Sequence, residues 1–118
     1  MESIGTVDQV FMCYDTILQV TAQMLNAARK DDWDTSIALQ KRYCALVDTL
    51  RPVFWRFTFD AQQRARIEDL TRRILSDETE VRDLAAPRLA RLSALLASNR
   101  QSQAMQKMYG LSPRGYAR

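Results

Sequence analysis

The sequence predicts an all-α fold: an antiparallel three-helix bundle with a long third helix and a short, detachable C-terminal helix. Three observations predict it. Only three Gly and three Pro occur in 118 residues, too few for the frequent turns that an all-β fold requires. Apolar residues recur at three- and four-residue steps over long stretches, which places them on one helix face. The length supports one modest core and not two. With 47% hydrophobic and 26% charged residues, the composition is that of a globular domain and not of a disordered chain.

The first helix is expected from Thr6 to Arg29. Thr6 followed by Gln9 is a capping-box pattern, in which each side chain can satisfy a backbone N–H at the helix start. Val7, Val10, Phe11, Tyr14, Ile17, Leu18, Leu25 and Ala28 form its apolar stripe. Arg29 and Lys30 close it where cations complement the helix dipole.

The second helix is expected from Trp33 to Leu50, capped by Asp31 or Asp32. Its apolar residues fall in two adjacent rows, Trp33, Ile37, Cys44 and Val47 beside Leu39, Tyr43, Leu46 and Leu50. A face that wide implies contact with more than one neighbouring helix. Arg51-Pro52 is expected to end the helix, because Pro disfavours helical backbone at the residue before it. Val53, Phe54, Trp55, Phe57 and Phe59 follow. They can plug the end of the bundle or form an exposed apolar patch that marks a partner site.

Asp60 with Gln63 opens the third helix, expected over residues 60–97. Ile67, Leu70, Ile74, Val81, Leu84, Leu92, Leu95 and Leu96 continue one stripe, interrupted by Asp77-Glu78. Pro87 either kinks this helix or starts a new one, and the unbroken phase of the stripe favours a kink. At 1.5 Å per residue the first two helices span roughly 36 and 28 Å and the third roughly 57 Å, an overhang of roughly 20 Å. The leucines on that overhang need a cover: the C-terminal segment, a second copy of the chain, or a partner.

Residues 97–103 lack large apolar side chains and read as a hinge or a frayed helix. Ala104, Met105, Met108 and Tyr109 then make a short apolar face, with Gly110 suited to the C′ position. A helix so short orders only when docked, and Met suits surfaces that accept different partners. Two readings stand, a stable fourth core helix or a detachable, competing one, and the weakness of the face favours the second. Residues 1–97 are therefore expected to form the bundle, and residues 98–118 a regulatory helix and tail.

Catalysis is not expected. The chain has no His, which removes the commonest general base and metal ligand. Two separated cysteines do not make a zinc site, and no glycine forms a phosphate-binding loop or nucleophile elbow. The carboxylate pairs Asp31-Asp32 and Asp77-Glu78 are expected at helix N-termini or on solvated faces. No metal or cofactor is implied. Cys13 and Cys44 read as reduced core residues, with a redox pair conceivable only if their helices face each other. No stretch approaches the roughly 20 apolar residues of a membrane span, and the N-terminus lacks the pattern of a secretion signal; a cytoplasmic location is expected. Charge is divided along the chain: residues 1–83 carry 11 basic and 14 acidic side chains, net −3, whereas residues 84–118 carry 6 basic and none acidic, net +6. Such a basic segment suits acidic partners or nucleic acid.

Three stretches resemble the FliT-type flagellar export chaperones: Asp32-Trp33-Asp34 after the basic end of the first helix, Arg88-Leu89-Ala90-Arg91-Leu92-Ser93-Ala94-Leu95-Leu96, and Asn99-Arg100-Gln101 leading to Met108-Tyr109-Gly110. Their order and spacing agree over nearly the whole chain. The resemblance implies an antiparallel helical bundle whose last helix covers a partner-binding surface. It implies a chaperone that holds the filament-cap protein in the cytosol and delivers it to the flagellar type III export gate. It implies contacts with the export ATPase complex and, in some bacteria, with the flagellar master transcription regulator. By match to the Tyr-Gly motif, Tyr109 looks like the tyrosine that engages the export gate. Pro87 departs from related sequences, which continue a helix there, and the tail after Tyr109 is short.

On this reading the C-terminal helix of a client lies along the second and third helices, with Tyr43, Ile67, Ile74 and Val81 as candidate groove residues that equally suit the core. Met105, Met108 and Tyr109 compete with the client. The alternatives are a nucleic-acid-binding or transcription-modulating helical protein, motivated by the basic C-terminal third, and a structural dimerisation module in which the overhang pairs with itself as a homodimer.

Overall fold

The computed structural model describes residues 4–88 and 99–109. Helix α1 spans Val7–Arg29, α2 Trp33–Phe54 and α3 Ala61–Ala85; a 3-10 turn follows at Ala86–Arg88, and α4 spans Asn99–Tyr109. No strand occurs among the described residues. The fold is the all-helical bundle expected from the sequence.

Side chains fix the starts of the helices. The Thr6 hydroxyl accepts the Gln9 N–H at 3.1 Å, and the Gln9 side chain accepts the Thr6 N–H at 3.1 Å. The same reciprocal box opens α3, where Asp60 accepts the Gln63 N–H at 2.8 Å and Gln63 accepts the Asp60 N–H at 2.9 Å. Asp32 caps α2 by accepting the Thr35 N–H at 3.3 Å. Asp31 takes the left-handed conformation (φ 61°) that reverses the chain between α1 and α2, a conformation Asp tolerates better than most residues. Its carboxylate accepts the Trp33 indole N–H at 2.7 Å, which fixes the first residue of α2 against the turn.

The second helix runs past its expected end. Pro52 lies inside α2, which continues to Phe54. The proline removes one backbone hydrogen bond, but Phe54 is held from outside the helix. Its ring meets Tyr14 at 6.3 Å and Phe59 at 5.5 Å, so tertiary packing carries the last turn. The third helix, by contrast, leaves α-helical geometry at Ala85 and tightens into the 3-10 turn that contains Pro87. With 25 residues it is still the longest element. Its expected continuation to residue 97, and the overhang it implied, lie outside the described residues. Asn99 to Gln103, read from sequence as a hinge or frayed helix, form the first turns of α4.

Helix α1 packs against both α2 and α3, while α4 lies against α2 and α3 on the other side and bridges them. Direct contact between α2 and α3 is sparse, so the groove between them is filled by α4. The buried residues of α2 are Trp33, Ser36, Gln40, Tyr43, Val47, Leu50 and Phe54. Their alternating three- and four-residue steps form one seam that cuts across the two rows read from sequence. Ile37, Leu39, Cys44 and Leu46 are half-buried on its flanks.

Candidate functional site

The candidate site is the α2–α3 groove together with the helix that occupies it. On α4, Ala104, Met105 and Met108 are buried, and so is Ser102. The helix runs from Ser102, beside Arg82 in the last turn of α3, to Lys107 and Met108, which share a surface depression with Trp55, Phe59 and Arg64. It is therefore antiparallel to α3. Among the described side chains, Ala104, Met105 and Met108 are the apolar ones that offset the ordering entropy of this 11-residue helix.

A polar cluster lies beneath α4. Glu78, in the middle of the apolar stripe of α3, is 1% exposed. Its Oε1 lies 3.2 Å from Arg82 Nη1, an ion pair without a well-directed hydrogen bond. Arg82 Nη2 donates to the Ser102 hydroxyl at 3.3 Å, and Gln106 Nε2 donates to the same hydroxyl at 3.5 Å. The Tyr43 hydroxyl on α2 is the further polar neighbour of Glu78. Burial pushes the Glu78 carboxyl above its ordinary range, and Tyr43, Arg82 and Ser102 pull it part of the way back. Tyr43 is driven well above the usual phenol value, first by burial and then by the neighbouring Glu78. The expectation that Asp77-Glu78 sits on a solvated face is thus corrected for Glu78. Position 78 follows Ile74 by four residues and precedes Val81 by three, so its phase dictates burial whatever its charge. Asp77 turns aside and accepts a hydrogen bond from Thr21 of α1 at 3.3 Å.

Tyr43, Ile67 and Ile74 are fully buried, Val81 is 1% exposed, and Met105 and Met108 are buried with them. All six belong to one continuous core. Tyr109 ends α4, and its side chain lies outside the described residues. The pattern of the sequence singled out the apolar members of this site but not Arg82 or Ser102. The available signal was the heptad phase of positions 71, 74, 78, 81 and 85 on α3, which places a charge inside an otherwise apolar seam.

The aromatic connection divides between its two readings. Phe54 and Phe59 are buried and close the end of the bundle, and Phe57 is half-buried against them. Trp55 is 65% exposed. The cysteines are both free. Cys13 approaches the Leu46 carbonyl at 3.9 Å, Gln40 Nε2 donates to Cys44 Sγ at 3.4 Å, and burial raises the Cys13 thiol to about 11. Among the described residues, no group of three or more Cys, Asp or Glu side chains could hold a metal ion, and no helix is long and apolar enough to cross a membrane.

The chain is similar to flagellar proteins of several bacteria. The flagellar protein FliT of Photorhabdus laumondii is 28% identical over 100 residues, covering 85% of this chain and 80% of its own. The flagellar protein FliT of Yersinia enterocolitica is 31% identical over 104 residues, covering 85% of this chain and 83% of its own. That of Yersinia pestis is 28% identical over 100 residues with similar coverage. No solved structure matches the chain at a significant level. The description of one family, Flagellar protein FliT, matches residues 12–111. The chain belongs to the FliT family of flagellar proteins.

Proposed function

We propose that this protein is a cytoplasmic flagellar type III export chaperone that binds the C-terminal helix of the filament-cap protein. The observation that carries the reading is the placement of α4: an amphipathic helix of the chain itself fills the groove between α2 and α3. A groove that accepts one amphipathic helix has the shape and chemistry to accept another. Residues 1–97 then hold the client, and residues 98–118 form the regulatory segment that occupies the groove when no client is present.

Client binding uncovers and reuses Tyr43 and the apolar faces of Ile67, Ile74 and Val81, while Met105 and Met108 leave with α4. Tyr109 engages the export gate, and the chaperone also contacts the export ATPase complex. Contact with the flagellar master transcription regulator belongs to the same reading. The family supplies the flagellar setting, and the docked helix supplies the mechanism.

As a two-state competition, a docking free energy of roughly 1–2 kcal/mol lowers apparent client affinity several-fold to about thirtyfold. The test is calorimetry of the full chain, and of a chain ending at Ala97, against the C-terminal segment of the cap protein from the same organism. Tighter binding by the shortened chain is expected. Equal affinity of the two chains removes the competing helix from the mechanism, and binding by neither removes the client assignment.

A further inference from the structure

Trp55 is one of two large apolar side chains that stand exposed among the described residues, and it lines two adjoining depressions. Its ring meets Phe54 edge-on at 5.2 Å, and Phe54 is buried in the core. The indole is therefore held by a buried neighbour while most of its surface stays in solvent. One depression, of about 420 Å³, is lined by Arg51, Trp55, Gln103, Ala104, Lys107 and Met108. A second, of about 670 Å³, adds Phe54, Phe57 and Arg64. The two share Trp55, Lys107 and Met108. The floor is aromatic and thioether; the rim is cationic, with Arg51, Arg64 and Lys107 and, among the described residues, no acidic side chain in either lining.

The nearby carboxylates are already engaged. Asp48 lies 3.6 Å from Arg51 across a solvent-exposed pair, which is too weak to neutralise a competing anion. Asp60 spends its carboxylate on the N-terminus of α3. Charge therefore selects the occupant. The segment 110–118 that follows α4 carries Arg114 and Arg118 and no acid, so it meets like charge at this rim. An acidic partner meets opposite charge there, and its apolar anchor can lie on a rigid indole.

We propose that the seam between the end of α2 and α4, centred on Trp55 and rimmed by Arg51, Arg64 and Lys107, is a docking site for an acidic segment of another protein bearing an aromatic or leucine anchor. The site is separate from the α2–α3 groove, which α4 fills. Its walls come from α2 with its following loop, the start of α3, and α4, so it is complete only while α4 is docked. A ligand that needs both walls favours the docked state over the open one, by linkage. Where the groove is read as the client site, such a partner restrains client capture without touching the client. The docking site itself does not depend on that reading.

The experiment is selection from a randomised 12-residue peptide display library on the full chain, with Trp55→Ala as the counter-selecting bait. Trp55 is exposed, so this variant keeps the fold, which its melting temperature checks. The expected selected sequences combine Asp or Glu with Phe, Trp or Leu. A synthetic peptide of the selected sequence should bind the full chain and lose about tenfold or more in affinity in Trp55→Ala, as a central aromatic anchor does. It should weaken again in Lys107→Glu, weaken as salt rises, and fail to bind a chain ending at Ala97. A chain ending at Tyr109 should bind it within about twofold of the full chain. Selection of neutral or basic sequences, or equal affinity for Trp55→Ala, overturns the proposal. So does equal binding by the chain ending at Ala97. A large gain in affinity on removal of residues 110–118 assigns the site to the chain's own tail. Self-association that Trp55→Ala abolishes assigns it to a second copy. Either of these two results overturns the proposal as well.

Discussion

Arg82 on α3 donates a hydrogen bond to the Ser102 hydroxyl on α4 at 3.3 Å, and its other terminal nitrogen lies 3.2 Å from Glu78. One guanidinium thus links the docked helix to a buried carboxylate. Burying that carboxylate opposes docking, because the ionised form loses water and Tyr43, Arg82 and Ser102 offset only part of that loss. The apolar contacts of Met105 and Met108 favour docking.

The pH dependence follows from the direction of the Glu78 shift. The carboxyl titrates above its ordinary value of 4.5 in the folded protein, so the folded state holds this proton more tightly than the unfolded state. The stability this group contributes is complete below 4.5 and is lost as pH rises through the raised value. Glu78→Gln removes the titration while keeping a side chain of the same shape. Its stability relative to wild type, from urea unfolding, should therefore increase from pH 4.5 toward pH 7.5. A constant difference across that range means that Arg82 and Tyr43 fully compensate the charge.

Met105 is the fully buried apolar residue of α4. In a tightly integrated core, Met→Ala costs about 2–5 kcal/mol of global stability. If the margin for α4 docking is narrow, Met105→Ala instead releases α4 alone. Amide hydrogen exchange over residues 99–109 should then lose protection, while α1 and the buried seam of α3 keep theirs. Loss of protection throughout the bundle means that α4 is part of the cooperative core.

The bundle itself should separate core from surface in magnitude. Ile17 is fully buried on α1, and Ile17→Ala should cost about 2–5 kcal/mol in urea unfolding. Arg29 donates twice to Glu80, at 2.9 and 2.6 Å, but both side chains are largely in solvent. Arg29→Ala should cost less than about 1 kcal/mol, and that little should fade at high salt.

Cys13 should be slow to react. Burial raises its thiol from 9.0 to about 11, so at pH 8 its thiolate fraction is about a hundredfold below that of a free thiol. Native-state labelling with iodoacetamide, read by mass spectrometry, should show that reduction relative to the urea-unfolded chain. Equal rates in both states mean that the α1–α2 seam opens readily.

Helix starts were legible in the sequence because capping is local chemistry: Thr6 with Gln9 and Asp60 with Gln63 need only three residues of context. The end of α2 was not legible. Pro52 argues for a stop, but the ring of Tyr14, distant in sequence, and that of Phe59, in the connection that follows, hold Phe54 in the helix. The apolar members of the site followed from periodicity, whereas Glu78 was misplaced because its charge argued for water while its phase argued for burial.

By itself the sequence determined the helical class, the order of the described elements and the apolar stripe of α1, since helix periodicity and end chemistry act over a few residues. Only the tertiary structure decided that α4 fills the gap between α2 and α3, that Glu78, Arg82 and Ser102 meet beneath it, and that Trp55 stays outside while Phe54 goes in. Those outcomes depend on which faces meet between helices far apart in sequence. A face that is apolar in the sequence does not specify its partner until packing has assigned every other face.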